Sequence, residues 1–314
     1  MSSPILADRN SWESALKNIW NQYRTWAITA TAYKSSVTRW RSIILAFSIL
    51  GAVIGTLSQQ LNLLTLVHGP QWLPSTLGII SGAALGLAAY FTREALSPDA
   101  ETKAARARAA AEGFKSEAFL IAAVAPPYNT AITTDELFAR TSKVTEAVDN
   151  LAHQTITTEQ GLEGIPTEPL SAEAYVKARV DDQIDGFYLP RARAYETKLA
   201  NGKYFMLGLG TIAVLLGLGS AKFPSFAGWI AVIGTLTAAV AARHYAARYQ
   251  FLIVTYQATA EKLRRLKTEW EVARKTDPVA ADQKLIVGCE ETISSENTGW
   301  MAEFTKKQEG SGGR

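Results

Sequence analysis

The chain has one cysteine, Cys289, and three histidines, His68, His153 and His244, in 314 residues. A single cysteine excludes an internal disulfide and a cysteine-cluster metal site. The histidines fall in a connection, in a polar helix and beside an apolar block, with no metal-ligand spacing among them. Net charge is only +3, which gives no basic footprint for nucleic acid. No phosphate-binding loop and no nucleophile motif occurs. Gly208-Leu209-Gly210 is a fragment of a dinucleotide pattern, but it stands inside an apolar block. These absences argue against an enzyme and imply no cofactor. No leader-like cleavage pattern opens the chain, so the first apolar block is expected to be an internal anchor.

A further absence is local and more informative. Four stretches have no Asp, Glu, Lys, Arg or His: Ile43–Leu57, Leu73–Phe91, Tyr204–Ser220 and Phe226–Ala242. Each is close to the ~20 apolar residues that cross a bilayer as a helix. The expected fold class is therefore an all-α membrane protein. Its four transmembrane helices, at 42–60, 73–92, 204–220 and 226–243, form two hairpins with long cytoplasmic helical extensions.

Aromatic and basic residues bracket these blocks. Arg39, Trp40 and Arg41 precede the first, and Tyr90, Phe91 and Arg93 close the second. Lys203 and Tyr204 open the third, and Arg243 and Tyr245 follow the fourth. Rings and cations of this kind favour the headgroup layer, as lipid anchors or as the mouth of a pore. The connection from Ser58 to Gln71 has no Lys or Arg, and Ala221 to Ser225 has only Lys222. The positive-inside rule then puts both termini in the cytoplasm of a multi-pass cell-membrane protein.

The two hairpins read as copies. With Tyr33 on Tyr195, Arg41 falls on Lys203 and Gly55 on Gly217 without a gap. In the second helices Pro74-Ser75 aligns with Pro224-Ser225 and Arg93 with Arg243. Both copies run the same way through the membrane, so the repeat is parallel. The expected domains are a helix–hairpin–helix unit at 1–130, a connecting helix and linker at 131–170, a second unit at 171–306, and a flexible tail at 307–314.

Outside the membrane, apolar residues recur at helical spacing. Trp12, Leu16, Ile19, Tyr23, Trp26, Tyr33, Val37 and Trp40 form one stripe. Tyr256, Leu263, Leu266 and Trp270 form another, and Pro278 opens a last helix with Ile286, Cys289, Ile293, Asn297, Trp300 and Phe304. Such stripes pack against neighbouring helices. Phe119 to Ala125 is apolar but too short to span. Pro190 is expected to kink the helix that carries it.

Within the blocks, small residues lie one turn apart: Gly51 and Gly55; Gly78, Gly82 and Gly86; Gly234, Ala238 and Ala242. Ridges of this type let helix backbones approach, inside one chain or between chains. The hydroxyls Ser48, Thr56, Ser81, Thr211 and Thr235 either bond a carbonyl one turn back or line a pore.

A cytoplasmic helix, a two-helix hairpin and a long returning helix together resemble the SLATT family, the SMODS- and SLOG-associating two-transmembrane effector domains. The resemblance is strongest at Arg108-Ala109-Ala110-Ala111-Glu112-Gly113-Phe114-Lys115-Ser116-Glu117. A second match runs from Glu290-Glu291 through Ser295-Glu296-Asn297 to Trp300. The chain resembles a tandem of two such domains, at roughly 10–130 and 180–306. The resemblance implies a membrane effector of a bacterial conflict system triggered by nucleotide signals, acting as an oligomeric pore or ion channel gated from its cytoplasmic helices. The partners it implies are the lipid bilayer, further copies of the chain, and a cytoplasmic regulatory protein or ligand. The chain departs from the simplest family pattern by its doubled hairpin and by the lack of a recognisable sensor domain. A non-conducting membrane scaffold that recruits a partner is the alternative.

Overall fold

A computed structural model describes residues 9–68, 70, 72–95, 98–130, 134–156 and 164–311. The elements are α1 (Arg9–His68), α2 (Trp72–Ala95), α3 (Pro98–Ala122), α4 (Thr134–Glu146), a 3-10 turn (Asp149–Gln154), α5 (Ala172–Tyr175), a π-helix (Val176–Tyr188), α6 (Leu189–Ser220), α7 (Phe226–Ala247), α8 (Tyr249–Ala273) and α9 (Pro278–Ser311). No strand occurs among the described residues. Four helical stretches are long and apolar enough to cross a membrane, as the fold class requires.

Local chemistry sets several helix ends. The Ser171 hydroxyl accepts from the Ala174 N–H at 3.2 Å and caps α5. Asp277 does the same for α9, accepting from Ala280 N–H at 3.1 Å, with Pro278 at the first helical position where its missing N–H costs nothing. α7 and α8 are separated by one residue, Arg248, in the left-handed region at φ 48°.

Two expectations are corrected. The first connection was placed at Ser58 to Gln71, yet α1 runs through most of it to His68. Leu61, Leu63, Leu64 and Leu66 sustain the helix until Gly69 and Pro70 stop it. The tail was placed at 307–314, yet α9 continues to Ser311. Pro190, where a kink was expected, does not interrupt its helix, and α5, the π-helix and α6 form one continuous stretch, Ala172–Ser220. In an α-helix the Pro190 ring would press on the Gly186 carbonyl. The wider π register relieves this, and the Leu189 N–H reaches back five residues to the Ile184 carbonyl.

The chain divides into two compact units. One comprises residues 36–97 and 193–253 and holds the four apolar blocks. Many large apolar side chains point outward there, with Ile79 74%, Leu207 69% and Leu218 73% exposed. In water such surface is costly, whereas in lipid it is matched. The other unit comprises residues 1–35, 98–192 and 254–314, and it has a conventional core. Trp12, Leu16, Ile19 and Trp26 of the first stripe are buried, as are Tyr256, Leu263 and Trp270 of the second. Ile286, Cys289 and Ile293 of α9 are buried too, while the side chains of Asn297, Trp300 and Phe304 lie outside the described residues. Phe119, Leu120, Ile121 and Ala122 are also interior, which accounts for an apolar run too short for a membrane.

Candidate functional site

In the membrane unit, α1 and α2 meet over glycine. A Cβ on Gly51 would lie 2.7 Å from the Leu85 side chain, and one on Gly55 would lie 2.7 Å from Ser81 Oγ. The Ser81 hydroxyl is buried and donates to the Gly51 carbonyl at 2.7 Å, tying the pair across the gap. Ser58 Oγ donates to the Pro74 carbonyl at 2.6 Å near the turn. At the opposite end the rings of Trp40 and Phe91 pack at 5.1 Å.

The second hairpin closes in a similar way. Gly202 leaves room for the His244 ring, and Gly219 for Phe226. Tyr195 stacks on Tyr249 at 5.3 Å. The hairpins also touch each other. Gln60 Nε2 donates to the Ser225 carbonyl at 2.7 Å, and a Cβ on Gly228 would lie 3.0 Å from the same nitrogen.

The other small residues face outward. No described atom lies within 4 Å of a Cβ placed on Gly82, Gly86 or Gly234, and Gly78 would meet only Ser58 Oγ at 3.4 Å. Ala238 and Ala242 are exposed as well. Among the described residues, then, only the Gly51/Gly55 ridge is packed along its length inside the chain. Two ridges, Gly78/Gly82/Gly86 on α2 and Gly234/Ala238/Ala242 on α7, lie on the surface of the unit.

The hydroxyls divide by partner. Ser48 donates to the Ile44 carbonyl, Thr211 to Leu207 and Thr235 to Ala231, at 2.9, 3.1 and 3.0 Å. These are bonds one turn back. Thr56 is half-buried, with its methyl 3.4 Å from a Cβ placed on Gly228. Arg39, Arg93, Lys203 and Arg243 are exposed, and Trp40 and Arg41 are half-buried.

In the polar unit, the two segments that carry the family resemblance converge on a buried ionic core. Its centre, Arg179 of the π-helix, is fully buried. Its Nε and Nη2 donate to Glu290 Oε1 and Oε2, each at 2.9 Å, a bidentate pairing. The Tyr175 hydroxyl donates to Glu290 Oε1 at 2.9 Å. Glu112 Oε2 is 3.8 Å from Arg179 Nη1, and the guanidinium lies 5.0 Å above the Phe119 ring. Burial opposes the Arg179 charge, but Glu290 and Glu112 outweigh it and hold the pKa above that of ordinary arginine. Burial, reinforced by Glu290, raises the Tyr175 hydroxyl well above its usual range. Arg108 hydrogen-bonds Tyr256, sits 5.0 Å over the Phe187 ring and attracts Glu296 and Glu112. Lys115 lies 5.4 Å over the Tyr23 ring, its pKa lowered by burial and by Arg179.

The rest of the first segment is also structural. Glu117 accepts from Tyr128 at 2.6 Å and from Arg140 at 2.8 and 3.2 Å, clasping α3 to α4. Gly113 makes room for Val144, which a Cβ would approach to 3.1 Å. Tyr175 and Arg179 were not singled out in the sequence. The available signal was one arginine on the face of Val176, Val180 and Ile184, where a lone charge requires a partner.

Comparison with known families then bears on the reading. Residues 175–300 match the family model described as SMODS and SLOG-associating 2TM effector domain 1. The match begins at Tyr175, takes in Arg179, the second hairpin, α8, Glu290 and Glu296, and ends at Trp300. No curated protein and no solved structure shows a significant match to the chain.

Proposed function

We propose, taking this two-transmembrane effector domain as the premise, that the chain is a subunit of an oligomeric membrane pore gated from a cytoplasmic helical unit. The first hairpin is then a second, diverged copy of the same domain, and the trigger is a cytoplasmic ligand or partner in a bacterial nucleotide-signalled conflict response. The observation that carries the oligomer is the pair of small-residue ridges on α2 and α7, whose Gly82, Gly86 and Gly234 meet no described neighbour within 4 Å. Surface glycine ridges let helices of adjacent subunits approach, and four spans alone do not enclose a wide conduit.

The membrane blocks have no fixed charge. A pore built from them is walled by hydroxyls, backbone and small apolar groups, gates by dewetting and discriminates weakly by charge. Arg39, Arg41, Arg93, Lys203 and Arg243 then act at the boundary, as headgroup anchors or as the pore mouth. The test is reconstitution in planar bilayers with the oligomer size measured in nanodiscs. Stepwise current from the wild type, lost together with assembly in Gly82→Leu, is the expected result. A verified oligomer that passes no current under any lipid or voltage overturns the pore. That outcome leaves the non-conducting scaffold, which the inward-turned donors of Ser48, Thr211 and Thr235 favour.

A further inference from the structure

Glu296 of α9 is only 7% exposed, and its Oε2 has no hydrogen-bond partner among the described residues. α9 lies along α3. The charged and titratable groups that act on Glu296 are Arg108 and Glu112 from α3 and Tyr188 from the π-helix; Tyr256 of α8 joins through its hydrogen bond with Arg108, and Arg179, Lys115 and Glu290 join through Glu112 and Arg179. Tyr23 and Arg24 of α1 reach the same network through Glu112. Arg179 is committed to Glu290 by two bonds and lies 3.8 Å from Glu112, Lys115 also attracts Glu112, and Arg108 attracts both Glu112 and Glu296. An ionised carboxylate with a bare oxygen in such a place is costly, whereas a protonated one is not.

We propose that Glu296 carries a proton when α9 is seated on α3, and that loss of this proton loosens the contact, so that the ionic core is a pH-sensitive latch. The latch holds whether or not the chain conducts. Its direction follows from linkage. Burial raises the Glu296 carboxyl above the ordinary value of 4.5, Arg108 opposes the rise and Glu112 adds to it. The seated state therefore binds the proton more tightly than the loosened one. Its advantage is greatest at low pH and is lost as pH rises through the raised value, by at most about tenfold per pH unit for one proton.

The experiment is amide hydrogen exchange of the full chain in nanodiscs across this window, corrected for the chemical exchange rate. In the wild type, protection of residues 285–296 should fall as pH rises. Glu296→Gln copies the neutral form, and its profile should be flat. Glu291→Gln, an exposed neighbour on α9, should behave as wild type. Glu296→Met also removes the titrating group and decides the matter should the glutamine variant fold poorly. A wild-type profile without slope overturns the latch, as does a slope that survives in both Glu296 variants.

Discussion

Arg179 shows what one buried charge does to a helical core. Its pairing with Glu290 is not a large source of stability, since both ions give up water to form it. Losing one partner is different. Arg179→Ala leaves the Glu290 carboxylate, 2% exposed, without its cation, and should cost about 3–5 kcal/mol. The thermal transition of the purified protein, followed by circular dichroism, should drop accordingly, and Arg179→Met with Glu290→Met should recover most of the loss. Cys289 gives a second test at this scale. It is fully buried, and burial, with Glu290 adding to it, pushes its thiol up to about 12. A maleimide should therefore leave it unmodified in the folded protein at neutral pH and label it after denaturation. Its place on an apolar stripe was legible in the sequence. The centre of the ionic core was not, because the pairing joins residues 111 positions apart and spacing reports only neighbours along one helix.

At the scale of elements, periodicity and the absence of charge located every membrane helix, because a bilayer imposes one length and one polarity on each. Helix ends were harder to place. Polar residues such as Gln59, Gln60 and Asn62 do not break a helix and no glycine or proline stands between Gly55 and Gly69, while a π register has no compositional mark distinct from an α-helix. The glycines separate in a way that sequence spacing did not show. Gly51 and Gly55 are pressed against α2, while Gly82 is open. Gly51→Leu should disrupt the first hairpin itself, seen as loss of folded monomer in a detergent size profile. Gly82→Leu should leave the monomer intact and act only on association between copies. Equal monomer loss in the two variants would contradict this division.

For the whole molecule, the proposed topology rests on where cations are absent. Cysteines placed at Pro70 and Lys222 should react with an impermeant reagent from outside intact cells, and those at Asn129 and Thr167 should not. All four labelling from one side would remove the two-hairpin arrangement. The second of the two expected effector-like domains, at roughly 180–306, was legible in the sequence and overlaps the matched residues 175–300. What the sequence concealed is that residues of both segments, Arg108 to Glu117 and Glu290 to Glu296, build a buried core. Charged motifs at helical spacing look alike, buried or exposed, until their partners are seen.

The brevity of the two turns bears on how such a chain enters a membrane. Only residues 69–71 separate α1 from α2, and only 221–225 separate α6 from α7. Neither helix of a pair can settle in lipid far ahead of the other, so each pair partitions as one object. What insertion must then carry through the bilayer is two small turns with the helix ends that flank them. The turns hold one formal charge between them, on Lys222. On the proposed topology all the remaining charge, with the whole ionic core, stays on the side where it was synthesised. On the proposed topology, folding of that core and entry of the hairpins never compete for the same residues, and no large polar domain has to be translocated.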